Sequence, residues 1–237
     1  MDLRISDAEI PPTLWLADVR LPIPDLQSGE LTVDLAIPAG ELAVVAVNET
    51  QHAQLIADAA CGLRPPRQGS VLFQGQDWIG SPPDYANARR GRIGCALDDT
   101  AWLSYVPLAS NILLPTLYHT RLPRQDVLRD AAQIAQRLGF LGLPMGYPDD
   151  YAEADLRRAS LVRAFLGKPD LVLVASRLAD FAPGNLGRLL NAMRQARDDG
   201  AAILWFVPDD APTGAAALPD CRRYIILDNR LVEEIEQ

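Results

Sequence analysis

The chain has 237 residues, 49% of them hydrophobic and 22% charged, enough to bury a full core in one domain or a tightly joined pair. Its apolar runs fall far short of the roughly 20 residues a membrane-spanning helix needs, and the start MDLRISDAEI has no basic stretch followed by an apolar one, so neither insertion nor export is expected. A formal charge of -9 argues against wrapping nucleic acid or lying on an anionic bilayer, because phosphate contacts need clustered Lys and Arg.

In chain order, residues 29 to 46 alternate and then become continuously apolar, which predicts a hairpin-like pair of strands whose second member enters a buried sheet. The Ala-rich QHAQLIADAACGL that follows predicts a helix ending at Gly62, and RPPRQGSVLFQGQD carries a turn, a short strand and another turn. ARRGR at 88 to 92 is the one dense basic patch and reads as a solvated loop. From Asn111 to about Tyr147 the pattern is helical, with Val127, Leu128, Ala131, Ile134, Ala135 and Leu138 on one face. A second amphipathic helix, Asp155 to Leu166, leads into a buried strand, Leu171 to Ala175. A helix from Asn185 to Asp198, a strand from Ala202 to Val207 and a closing hairpin around Asp228 and Asn229 complete the order. This is an α/β plan with a mostly parallel sheet and a helical insert. Cys61, Cys95 and Cys221 are odd in number and widely spaced, so neither a disulfide framework nor a zinc site is expected, and each reads as a small packed thiol.

Six segments, in order and correctly spaced, resemble the ABC-transporter nucleotide-binding domain: PAGELAVVAV, GLRPPRQGSVLFQGQD, RIGCALDD, VRAFLGKPDLVLVAS, GAAILWFVPDD and RYIILDNRLVEE. The resemblance spans nearly the whole chain. It implies an ABC-ATPase-like fold of the P-loop NTPase type, with a mostly parallel sheet, an antiparallel part and a helical subdomain. It further implies one domain over residues 1 to 237, its core from about 1 to 100 and 160 to 237, its helical subdomain from about 101 to 159.

The same resemblance fixes what stands at the family's catalytic positions. The phosphate-loop glycines correspond to Val47, Thr50 and His52, its Lys to Ala53 and the following Ser/Thr to Gln54. Such a loop turns backbone N–H groups inward on glycines, while Lys neutralises phosphates and a hydroxyl holds magnesium. Asp98 stands at the Q-loop position, and with Asp99 could ligate a cation or be a solvated acid. Ala175 and Ser176 replace the magnesium-linked Asp and the general-base Glu, and Pro208 replaces the switch histidine. The signature motif aligns with Tyr151, Ala152, Glu153, Ala154 and Asp155, whose two acids would repel a partner's nucleotide. No aromatic occupies 20 to 26, where the family stacks adenine.

These substitutions lead to the expectation of a degenerate ATPase that is not an enzyme, binds no cofactor and completes no partner's site. Its expected role is to dock on a membrane permease, peripherally at the cytoplasmic face of the inner membrane, paired with itself or with an intact ATPase subunit. The candidate docking residues are Trp102, Leu103, Tyr105, Leu113, Leu114 and Leu117, in the segment that borders the permease groove in the family; the alternative is that they fill the join between subdomains. The phrase NILLPTLYH further resembles ATPase subunits of MCE-type lipid transporters, which points to lipid cargo. An active but unusual ATPase and a soluble interaction protein are the alternatives.

Overall fold

The computed structural model describes residues 10–24, 29–97, 101–175, 185–209 and 221–234. Ten strands form one sheet in the order β5-β4-β1-β2-β10-β9-β3-β8-β7-β6. They are β1 (Leu14–Pro22), β2 (Glu30–Ile37), β3 (Leu42–Val47), β4 (Gln68–Phe73), β5 (Gln76–Asp77), β6 (Ile93–Ala96), β7 (Leu171–Ala175), β8 (Ala202–Pro208), β9 (Arg222–Leu227) and β10 (Arg230–Glu233). The run β9-β3-β8-β7-β6 is parallel, and β1 pairs antiparallel with both β2 and β4. The helices are α1 (Thr50–Ala60), α2 (Pro83–Arg90), α3 (Leu108–His119), α4 (Arg124–Arg137), α5 (Glu153–Phe165) and α6 (Asn185–Asp198).

The sheet separates two apolar cores. On one face α1 lies against β1, β3 and β4, its Leu55 and Ile56 sharing one core with Leu173, Leu204 and Phe206. On the other face Val172, Val174, Ile203 and Trp205 meet α3 to α6 through Ile112, Val127, Val162 and Leu189. The continuous apolar runs of β3, β7 and β8 follow from this, since each strand is covered on both sides. The sheet curls so strongly that its two ends meet. Gln74, in the turn between β4 and β5, donates from Nε2 to Asp170 at 2.6 Å, and Arg92, just before β6, donates to the same carboxylate at 2.5 Å.

Three expectations need correction. β2 and β3 are consecutive but not a hairpin, because β10 and β9 lie between them in the sheet. The helical stretch from Asn111 to Tyr147 is two helices, α3 and α4, and no α-helix follows Arg137 until Glu153. ARRGR is structural, not a solvated loop. Arg89 is buried, donates to the carbonyls of Phe73 and Gln76, both at 2.6 Å, and lies 4.1 Å over the Trp78 ring. Arg90 caps the end of α1 through the carbonyls of Cys61 and Gly62, both at 2.9 Å.

Candidate functional site

In open α/β sheets ligands bind at the carboxyl ends of parallel strands. Here β3, β8 and β7 end together, with Val47 opposite Pro208 and Ala175 opposite Phe206 in register, and the Asp209 N–H donates to the Val47 carbonyl at 3.0 Å. The fold therefore brings Val47, Ala175 and Pro208 to one edge, beside the start of α1. Asp98 and Ser176 lie outside the described residues.

Between β3 and α1 stand only Asn48 and Glu49, so the helix begins at Thr50 and runs through the whole second half of the expected phosphate loop. No residue from Val47 to Ala60 has positive φ, so the β-branched Val47 and Thr50 sit without backbone strain. Ala53 is buried against the α1 core, and Gln54 turns outward to donate to Asp58 at 2.8 Å. His52 is only 2% exposed; its Nδ1 lies 3.2 Å from the Asn48 amide oxygen and its Nε2 3.9 Å from the Glu49 carboxylate.

One feature favours an anion at this edge. Glu49, at the N-cap of α1, makes no side-chain cap and no acid occupies the first turn, which leaves main-chain N–H groups and the helix dipole facing the strand ends, although the His52 N–H is already given to the Glu49 carbonyl at 3.0 Å and the Glu49 carboxylate stands at the same place. The α5 start, where the signature positions fall, is also less hostile than its sequence implies. Glu153 pairs with Arg157 at 2.5 Å and Asp155 pairs with Arg158, so each acid has a guanidinium beside it, which weakens the expected repulsion. Tyr151 accepts from the Gly146 N–H at 3.0 Å, and Ala152 is the N-cap of α5. Among the described residues no group of three or more His, Cys, Asp or Glu could hold a metal ion.

The expected docking residues divide by face. Leu103, Tyr105 and Leu114 are exposed; Trp102 and Leu117 are half-buried against the second core, and Arg163 lies 4.6 Å over the Trp102 ring. Leu113 is 1% exposed and belongs to the core, so it is no surface anchor. Tyr118, exposed and one residue beyond Leu117, was not expected; it directly follows the two docking positions Leu114 and Leu117 along α3. The loop before α3 is held by buried Asn111, whose side chain accepts from the Leu103 N–H at 2.9 Å and donates to the Leu103 and Val106 carbonyls at 3.1 and 2.8 Å.

The fold is that of ABC-transporter ATP-binding subunits. A solved ATP-binding subunit of an ABC transporter matches with a TM-score of 0.78 at 17% identity, over 94% of this chain and 89% of that one. The dimeric cassette MJ0796 matches with 0.78 at 15% identity, over 93% and 97%, and a form of it bound to ADP and Pi matches equally.

By sequence the relatives are likewise ATP-binding subunits of transporters. The intermembrane phospholipid transport system ATP-binding protein MlaF of Haemophilus influenzae is 24% identical over 71% of this chain. The bacitracin export protein BceA of Halalkalibacterium halodurans is 22% identical over 82%, and the sulfate/thiosulfate import protein CysA of Caulobacter vibrioides 25% over 86%. The matched regions are 63%, 76% and 58% of those proteins' own lengths. No protein-family model matches the chain.

These comparisons overturn the expectation of a chain that is not an enzyme, since the sequence relatives are ATP-binding proteins of transport systems. The physical reason is that the expectation rested on side chains alone. A helix N-terminus offers main-chain donors whatever residue follows it, and the acids expected to repel are paired.

Proposed function

We propose that this chain is the ATP-binding-type subunit of a membrane transporter, seated on the cytoplasmic side of a permease, with lipid of the MCE-type pathway as cargo. The observation that carries the docking half is the pre-set loop before α3, where Asn111 fixes the backbone that presents Leu103 and Tyr105 beside Leu114. A rigid apolar surface of this kind suits a short permease helix, because little ordering entropy is spent on binding. Lipid cargo is supported by the phospholipid-transport relative. A second ATP-binding subunit, identical or different, would complete the assembly, as in the dimeric neighbour.

Nucleotide would enter at the α1 edge, held chiefly by main-chain donors since Ala53 brings no charge. Calorimetric titration of the assembled transporter with magnesium ATP tests this part, and the absence of any heat at millimolar nucleotide would refute it. For docking, the double variant Tyr105→Ser with Leu114→Ser should lose co-purification with the permease by about tenfold or more while its unfolding midpoint stays unchanged. Undiminished co-purification would sink the surface assignment.

A further inference from the structure

Cys61 and Cys95 are 34 positions apart in sequence, yet their sulfur atoms lie 3.8 Å from one another. Cys61 ends α1 as its C-cap, and Cys95 lies in β6. Both positions are fixed independently of the thiols. The Cys61 carbonyl receives Arg90, and the Trp78 indole donates to the Ala60 carbonyl at 3.1 Å. β6 is hydrogen-bonded along its length to β7, with Cys95 opposite Leu173. The two sulfurs are thus held face to face by the fold, and about 2 Å of approach by side-chain rotation separates them from a bond of ordinary length.

We propose that Cys61 and Cys95 form an oxidation site, a dithiol that a hydroperoxide converts to an intramolecular disulfide tying the end of α1 to β6. Cys95, half-buried, is the attacking sulfur, and Cys61, buried, resolves it. The surroundings support that division. The hydrogen bond from Cys61, then the Arg163 guanidinium, pull the Cys95 thiol below its usual range against burial and the Asp58 charge. The Cys61 thiol is pushed well above its usual range by its contact with Cys95 and by burial, so it stays protonated until the second step.

In the first step the Cys95 thiolate forms an S–O bond to the hydroperoxide, the O–O bond breaks, and the alkoxide or hydroxide released takes up a proton. In the second, the Cys61 sulfur attacks the Cys95 sulfenic acid; the S–S bond forms, the S–O bond breaks, and the Cys61 proton leaves with hydroxide as water. The thiol pair loses two electrons, and the peroxide gains them.

The experiment treats the folded chain with stoichiometric hydrogen peroxide, then counts thiols in denaturant and maps cross-linked peptides by mass spectrometry. One thiol should remain of three, with a 61–95 link that a dithiol reductant removes and a monomer on a non-reducing gel. Cys61→Ser should stop at a Cys95 sulfenic acid trapped by dimedone, and Cys95→Ser should consume peroxide about tenfold or more slowly. Three remaining thiols, a predominant link through Cys221, or a link formed only in denaturant would overturn the proposal.

Discussion

The guanidinium of Arg89 lies between the Trp78 ring and the carbonyls of Phe73 and Gln76, with further donation at 3.3 Å to the Asp77 carbonyl and the Ser81 hydroxyl. Burial pulls its pKa down from the usual arginine value, with Tyr85 and Asp77 opposing, and the fork geometry satisfies carbonyls from three residues at once. Arg89→Ala would leave those carbonyls without their donor, the Phe73 one buried, at a cost of roughly 1–3 kcal/mol. Arg89→Lys keeps a charge but not the fork and should recover under half of that loss in equilibrium urea unfolding. A variant as stable as the parent would show that water replaces the guanidinium. None of this was legible from ARRGR, because the partners of Arg89 lie 8 to 16 positions away and only the fold brings them over its head group.

Between elements, the tightest approach is that of β6 to α5. A Cβ added to Gly94 would stand 1.9 Å from the Ala164 carbonyl oxygen, so strand and helix touch through backbone. Gly94→Ala should force the two apart and cost about 3 kcal/mol. Gly187→Ala on α6, where a Cβ would meet nothing within 4 Å, should instead gain about 0.5–1 kcal/mol. Equal unfolding midpoints for the two variants would contradict this reading of the β6–α5 contact. Elements were the most legible level. The bounds of α6 and the β9–β10 turn at Asp228 and Asn229, both at positive φ, follow from local pattern. The placing of β2 away from β3 does not, because which strands pair is decided by long-range burial; the alternation of β2 against the continuous run of β3 was the available sign that they serve different environments. At the candidate site, the positions Val47, Ala175 and Pro208 were legible through the family resemblance and the arginine partners of Glu153 and Asp155 by their i,i+4 and i,i+3 spacing on α5, whereas the early start of α1 needed the fold.

Across the whole molecule, β9 is the strand that joins the parallel run to the antiparallel one, through β3 on one side and β10 on the other. Tyr224 sits in it, and burial raises its phenol pKa above the usual value; Arg222 opposes, while Glu233, Glu41 and Asp34 add to the rise. The sign follows directly. The unfolded chain releases this proton at lower pH than the folded one, so the stabilisation is full below about pH 10 and declines as pH rises through the folded value. Urea midpoints measured from pH 8 to 11 should therefore fall at the alkaline end, and Tyr224→Phe should fall less steeply; parallel curves would rule the phenol out as the cause. The closed curl of the sheet has a different bearing. Where the β4–β5 turn reaches the start of β7 the contact is a side-chain one, Gln74 to Asp170, whereas Arg92 and Asp170 stand on neighbouring strands and are also joined by the main chain, the Asp170 N–H donating to the Arg92 carbonyl at 2.9 Å. One exposed hydrogen bond of this kind contributes only about 1 kcal/mol, so the closure rests on the apolar core packed inside it and little on the contact itself.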